Sequence, residues 1–378
     1  LRPIVIFGTR PEIIKLSPVI RAFLEKGISP ILVHSGQHYD YEMSNIFLEE
    51  LELPEIDYHL EVGSGTQAEQ TGIGMIKIEK VLIEEKPDVS IVQGDTNTAL
   101  AGALASVKLL IPVAHVEAGL RSFDRTMPEE INRILTDHSS EVLFAPTLEA
   151  KANLEREGIR ENVFVVGNTI VDAVLQNSKI AEKKSKILTK LGLSPKEYIL
   201  VTAHRKENVD DKDKLRKLVE ILTSLPMQVV YPVHPRTESR LREFGLWDAL
   251  KSAPNVMLLK PLGYLDFLKL EKNAFIIMTD SGGIQEEAII LNVPCLTLRY
   301  NTERPETLKA GGNILVGLEK DIALRYVRKL IEDEEFYKRM SSAKNPFGDG
   351  KSGERIVNIL ITLWESGKLK VRASNFLS

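Results

Sequence analysis

Thr279-Asp280-Ser281-Gly282-Gly283-Ile284-Gln285-Glu286-Glu287-Ala288 follows the apolar run 274–278, and its reading decides the fold. The run has the composition of a buried strand, the polar and glycine residues make a sharp turn, and from Ile284 the pattern is helical. Two adjacent glycines at a helix mouth let a ligand approach backbone N–H groups that lack intrahelical partners. With the positive end of the helix dipole, those donors make an anion site, most naturally for phosphate. The same residues also fit an ordinary strand-to-helix turn with Ser281 as N-cap. The wider pattern has to choose.

Outward from this stretch, short apolar runs recur at residues 198–201, 228–231, 256–259, 275–278 and 295–298. An earlier set occupies residues 4–7, 31–34, 89–92, 113–116, 142–145 and 163–166. Helical stretches separate them, which indicates βαβ units and parallel sheets buried on both faces. The fold class is therefore α/β, with two Rossmann-like sheets. A lysine-rich, low-apolar helix around residues 178–196 separates the two sets. After the helix stop at residues 345–350, an amphipathic helix is expected over 352–364, with Ile356, Ile359, Leu360 and Leu363 at helical spacing.

Length and composition agree. A chain of 378 residues is long for one core, and 43% hydrophobic with 27% charged residues is ordinary for a soluble globular protein. A net charge of −4 gives no nucleic-acid surface, so an anionic ligand has to be held by local cations. The single cysteine, Cys295, excludes an intrachain disulfide and reads as a small buried hydrophobe. No signal-peptide pattern and no membrane-length apolar stretch is present, so a cytoplasmic protein is expected.

Several familiar motifs fail. Gly350-Lys351-Ser352 resembles a P-loop ending, but Asn345 stands where its first glycine belongs. Residues 63–68 fit a loose dinucleotide fingerprint yet follow a polar loop. His34 and His38 are four apart across a strand end, without an HExxH or paired cysteines, so no metal is expected. Ser281 lacks the glycine before it that a nucleophile elbow needs.

In parallel sheets the ligand lies beyond the carboxyl ends of the strands. Ionisable groups gather there: Arg10 and Lys15, Asp95, Glu117, the pair Glu129-Glu130, and, in the second half, His204 and His234. Asp95 also fits as the N-cap of a helix starting near Asn97, and Glu129 as a favourable charge on a helix N-terminus after Pro128. Glu117, between Val116 and Ala118 in an apolar stretch, is either paired or catalytically tuned.

These residues carry a resemblance over essentially the whole chain. Gly8-Thr9-Arg10-Pro11-Glu12, Gly36-Gln37-His38, Gln93-Gly94-Asp95-Thr96 and His115-Val116-Glu117-Ala118-Gly119-Leu120-Arg121 match one family in order. So do Pro128-Glu129-Glu130, Thr202-Ala203-His204-Arg205, Tyr231-Pro232-Val233-His234, Asp280-Ser281-Gly282-Gly283, Thr302-Glu303-Arg304-Pro305-Glu306 and Asn345-Pro346-Phe347-Gly348-Asp349-Gly350. The chain resembles the non-hydrolysing UDP-N-acetylglucosamine 2-epimerases.

The resemblance implies a GT-B architecture, two Rossmann-like domains with parallel sheets facing a central cleft. Residues 1–170 with the returning helix 352–378 would form the first domain, and 171–351 the UDP-binding second. It implies interconversion of UDP-GlcNAc and UDP-ManNAc through UDP elimination, without cofactor or metal, in a homodimer that binds neither nucleic acid nor membrane. Asp95, Glu117 and Glu129 would be the acid/base groups, with His204 assisting at the leaving phosphate. Arg10 and Lys15 would contact phosphates or nearby carboxylates, Ser281, Gly282 and Gly283 the pyrophosphate, and Glu287 the ribose hydroxyls. Phe267 would stack on uracil, Arg304 would sit near the diphosphate, and His234 would join the substrate site. Hinges are expected near residues 168–177 and 348–350.

Many members use an arginine near Ser64-Gly65, with the Gln37-His38 loop, to bind an activating second UDP-GlcNAc. This chain has no arginine between Arg21 and Arg121. A regulatory site here would draw on Gln37, His38, Gln70 and Arg205. A hydrolysing 2-epimerase and a GT-B glycosyltransferase using a UDP-sugar are the alternatives; the latter does not need three carboxylates around one sugar. A sugar-nucleotide-binding regulator without turnover is a third reading, disfavoured by the intact acid/base positions.

Overall fold

A computed structural model describes residues 1–36 and 47–371. The chain divides into two compact units, Leu1–Ala173 with the segment from Phe347 onward, and Val174–Pro346. The first division falls within the helix Thr169–Lys184.

The first unit is built on β1 (Pro3–Phe7), β2 (Ile31–His34), β3 (Tyr58–His59), β4 (Val89–Gln93), β5 (Val113–Val116), β6 (Val142–Ala145) and β7 (Val163–Val165). They run in the order β3-β2-β1-β4-β5-β6-β7, every pair parallel. The central strands are buried along their whole length; Ile4, Val5, Ile6 and Phe7 are each 0% exposed. Burial on both faces is why these strands read as continuous apolar runs rather than as alternating ones.

The second unit carries β8 (Tyr198–Thr202), β9 (Gln228–Pro232), β10 (Val256–Leu259), β11 (Ile276–Thr279), β12 (Cys295–Thr297) and β13 (Asn313–Leu315). Their order is β10-β9-β8-β11-β12-β13, again parallel throughout. In each sheet the order reverses once, between β1 and β4 and between β8 and β11. Loops leaving opposite faces at such a point part and open a crevice, where open α/β sheets bind ligands. Gly94-Asp95 and Asp280-Ser281 leave strands at these two points.

Two local expectations change. Residues 178–196 are not one helix: Thr169–Lys184 ends, and Ile187–Leu191 starts anew. Ser185 occupies the break, donating its hydroxyl to Asp266 at 2.5 Å and accepting Ile187 N–H at 3.3 Å. Asp95 is not the N-cap of Asn97–Lys108; Thr96 is, accepting from Ala99 N–H at 3.0 Å. Cys295 is buried, as its apolar run indicates.

The tail helix, Ser352–Glu365, buries Ile356, Val357, Leu360 and Leu363 and packs on Arg10–Glu25. Contact is closest at Gly353, where an added Cβ would lie 2.7 Å from the backbone carbon and oxygen of Pro18. Asp172 accepts the Gly353 N–H at 2.9 Å. Gly353→Ala should therefore force the two helices apart and destabilise the first unit by about 1–3 kcal/mol. A thermal melt reads this as a lowered midpoint; an unchanged midpoint would mean the helices separate without loss.

Candidate active site

Glu117 is the focus of the first unit. It lies just past β5 with φ 69°, in the left-handed region that a non-glycine residue enters at a cost. Its side chain is nearly enclosed, yet well satisfied. Lys15 Nζ donates to both carboxylate oxygens at 2.8 Å, Asn168 Nδ2 donates to Oε1 at 3.1 Å, and Gln93 Nε2 donates to Oε2. Four elements thus meet on one carboxylate: the first helix, β4, β5 and the loop after β7. Of the two readings open from sequence, pairing is observed. Lys15 spends its charge here.

Asp95, at the end of β4, is half-buried and paired with Arg133 at 2.5 Å. Its carbonyl accepts from Asn132 Nδ2 at 2.9 Å, and Asn132 also reaches Asn97 Oδ1 at 3.1 Å. Asn97 in turn donates to Gln70 at 2.8 Å, so Gln70 is tied to the loop that carries Asp95.

Glu129 and Glu130 open the helix Pro128–His138 and part company at once. Glu130 is 1% exposed and accepts from the Ser122 N–H and hydroxyl at 2.9 Å, Phe123 N–H at 3.0 Å and Arg133 at 3.0 Å. Burial pushes its carboxyl up, but these donors win and hold it below the usual range. Glu129 is exposed, with no hydrogen-bond or ion-pair partner among the described residues. Arg10 is exposed too, its guanidinium carbon 5.6 Å from the Phe47 ring centre.

Beneath these loops lies a buried polar cluster. His115 Nδ1 meets Asp137 at 2.7 Å and its Nε2 meets the Gly94 carbonyl at 2.8 Å. Asp137 is also bound by Arg121 at 2.7 Å. Burial raises the Asp137 carboxyl, but His115 and Arg121 outweigh it and hold it low. The cluster fixes the turn before Asp95. Glu12 does the same for the loop after β1, accepting from Gly8 and Thr9 N–H (3.1 and 2.8 Å) and from the Thr9 and Thr96 hydroxyls (2.8 and 2.7 Å). Its enclosure still pushes the carboxyl above the usual value.

In the second unit the organising group is Asp280, 0% exposed. It accepts from His204 N–H at 3.0 Å, Arg205 N–H at 3.0 Å and Asn208 Nδ2 at 3.1 Å. The loop after β8 is thereby bound to the end of β11. The His204 ring stacks on His234, with centres 5.4 Å apart. His234 Nδ1 accepts from Arg236 N–H at 3.2 Å, so that nitrogen carries no proton. Burial, then His204 and Arg236, lower the affinity of His234 for a second one.

The helix Gly282–Ile290 starts at this point, with Ser281 as N-cap by position but without a side-chain cap bond. The Ser281 N–H donates to Thr279 Oγ1 at 2.9 Å, which leaves the next N–H groups of the helix mouth unspent. Gly282 lies under the 302–304 loop: an added Cβ would be 3.4 Å from Glu303 Oε2 and 3.9 Å from Arg304 Cγ. At Gly283 nothing is nearer than Ser281 Oγ at 4.0 Å, so this side is open. Arg304 is anchored beside the mouth by Glu286 at 2.6 Å, and Thr302 by Gln285 at 2.6 Å. Arg205 pairs with Glu303 at 3.4 Å. Phe267 lies half-buried on Tyr264–Asn273, and Glu287 is 8% exposed on Gly282–Ile290.

Gln37 and His38 lie outside the described residues. Among the described residues, no group of three or more His, Cys, Asp or Glu side chains could hold a metal ion, and no helix is long and apolar enough to cross a membrane. The arrangement can do two things. The first unit presents carboxylates held beside cations, groups of the kind that move protons; the second presents an uncapped helix mouth, of the kind that suits an anion, beside Arg304 and a histidine pair. Sequence reading assigned no role to Gln93, Asn168, Asn132, Glu12 or Asp280. Asn168 and Asp280 stand in loops just past strands and Gln93 ends β4, whereas Glu12 and Asn132 lie on the helices Arg10–Glu25 and Pro128–His138; a place after an apolar run is the only signal the first three offer.

The family model described as UDP-N-acetylglucosamine 2-epimerase matches residues 22–361. A Methanocaldococcus jannaschii protein named UDP-N-acetylglucosamine 2-epimerase is 57% identical over 363 residues, which cover 94% of this chain and 98% of that protein. The crystal structure of the M. jannaschii UDP-GlcNAc 2-epimerase in complex with UDP-GlcNAc and UDP superposes with a TM-score of 0.81 at 56% identity, covering 96% of this chain and 100% of the other. A Pseudomonas aeruginosa protein named UDP-2,3-diacetamido-2,3-dideoxy-D-glucuronate 2-epimerase is 40% identical over 372 residues, covering 96% and 100%. With its two parallel sheets, the chain has the GT-B-like fold of such neighbours.

Proposed function

The chain belongs to the UDP-N-acetylglucosamine 2-epimerase family, and from that premise we propose that it interconverts UDP-GlcNAc and UDP-ManNAc by eliminating UDP and adding it back. The C2 proton of the sugar is not next to a carbonyl, so its direct removal would leave an unstabilised carbanion. Elimination avoids this. A carboxylate takes the C2 proton, the C1–O bond breaks with its electron pair leaving on UDP, and a C1–C2 double bond forms. In the return step a UDP oxygen attacks C1, and a carboxylic acid delivers a proton to the opposite face of C2. Such groups each contribute roughly 10²–10⁴ in rate.

Asp95, Glu117 and Glu129 are the acid/base groups in this reading, and the single observation that carries it is the four-element grip on Glu117. The second unit holds UDP: Ser281, Gly282 and Gly283 at the pyrophosphate, Arg304 and His204 beside it, Phe267 on uracil and Glu287 on the ribose. A helix mouth alone gives an anion only about 0.3–2 kcal/mol, so the arginines have to share in retaining UDP between the half-reactions. Arg10 in the first unit and His234 in the second are further substrate contacts in this reading; Gln70 and Arg205 are the regulatory candidates of their respective units.

Proton NMR of UDP-GlcNAc incubated with the protein in D₂O tests the reading. UDP-ManNAc with deuterium at C2 is expected. Release of free ManNAc, or no exchange at C2, would overturn it. The 2,3-diacetamido glucuronate nucleotide, run in parallel, reports which sugar is preferred; faster turnover of it would move the assignment to that substrate.

A further inference from the structure

Glu271 is a carboxylic acid where the fold has no use for a charge. It lies on the helix Tyr264–Asn273, is 0% exposed, and neither of its oxygens has a hydrogen-bond donor among the described residues. The groups that face it from packed elements are Glu287 from the helix Gly282–Ile290, the Tyr198 phenol from β8 and the Cys295 thiol from β12. None is a cation. The nearby lysines turn elsewhere: Lys269 and Lys272 reach Glu182, and Lys196 donates to the carbonyls of Lys272 and Ala274 at 3.0 and 2.8 Å. A bare carboxylate in this setting would cost several kcal/mol. Two adjacent carboxyls escape that cost by keeping one proton between them. Burial first, and the neighbouring Glu287 second, push the Glu271 carboxyl well above the ordinary range.

We propose that Glu271 is a positioning residue for the nucleotide: its carboxyl O–H donates a hydrogen bond to Glu287, locking the helix that bears Phe267 against the helix that opens on Gly282-Gly283. The two helices pack on each other. Phe267 and Glu271 are four residues apart and share a helix face. Glu287 stands five residues beyond Gly282. One hydrogen bond therefore sets the spacing between the element that stacks the base and the element that holds ribose and phosphate. It also orients Glu287 with its acceptor oxygens toward hydroxyl groups. The inference rests on the reading that Glu287 and Phe267 hold uridine.

The test compares Glu271→Gln with Glu271→Leu in the full chain, by UDP calorimetry and by thermal melts between pH 5 and 9. A glutamine side chain copies the protonated acid, with an N–H to donate; leucine fills the space without a donor. Glu271→Gln should bind UDP within about threefold of the parent, and Glu271→Leu about tenfold or more weakly. Equal UDP binding by the two variants overturns the positioning role. The melts read the proton separately. A carboxyl raised in the folded state keeps its proton while the unfolded chain releases it above the ordinary 4.5, so parent stability falls as pH rises. The midpoint of Glu271→Gln should accordingly gain on the parent as pH increases; a constant gap overturns the retained proton. Glu287→Ala isolates the underlying reading: unchanged UDP affinity there removes the ribose assignment, while the pH-dependent gap still decides whether Glu271 is protonated.

Discussion

Glu117→Gln is expected to lower turnover by about 10²–10⁴ while UDP affinity stays near that of the parent chain. Glutamine keeps the length and one acceptor oxygen, so the donations from Lys15 and Asn168 to Oε1 survive. At the other terminal atom its amide would face Gln93, whose own amide can turn to present oxygen instead, and Lys15, which gives up one of its two bonds and keeps the one to Oε1. The loops therefore stay in place, and what is lost is the capacity to take and return a proton. Steady-state turnover with UDP-GlcNAc and calorimetric titration of UDP separate the two effects. Collapsed UDP binding with normal residual turnover would make Glu117 a structural tie.

Asp280→Ala should be the most damaging single change in the second unit. The carboxylate is wholly enclosed and accepts two backbone N–H groups and the Asn208 amide. Bonds to a charged acceptor contribute about 1.5–3 kcal/mol each, and orphaned buried donors add their desolvation cost. A loss of at least about 3 kcal/mol is expected, seen as a lower thermal midpoint. UDP affinity should fall with it if the proposed nucleotide site is right, because Asp280 ties the His204 loop to the turn that opens the helix Gly282–Ile290. An unchanged midpoint would show that these loops hold each other without the carboxylate.

The sheets were legible in sequence because their strands are buried on both faces, and a run such as Ile4-Val5-Ile6-Phe7 has no competing explanation once helices flank it. One edge strand of each sheet escaped. Tyr58–His59 and Asn313–Leu315 are two and three residues long, too short for any periodicity. Position relative to strand ends singled out Asp95, Glu117 and His204, but not the partners that the structure gives them. Lys15 and Glu117 are 102 residues apart in the chain, and only the packed sheet brings them together. Adjacent Glu129 and Glu130 differ by about 100° around a helix, so their opposite fates depend on a helical phase that the sequence leaves open. The reading of Asp95 as a cap failed for a similar reason: Thr96, one residue on, fits the same role and takes it.

The helix Ser352–Glu365 belongs to the first unit although the whole second unit separates it from the rest of that unit in the chain. Ribosomes add roughly 5–20 residues per second. The first helix, Arg10–Glu25, therefore waits on the order of ten seconds or longer after its own unit is otherwise synthesised before its packing partner emerges. During that interval the second unit, an uninterrupted segment, can complete its fold first. The order of synthesis and the order of completion can thus be reversed, with the surface around Pro18 left uncovered until the tail helix arrives.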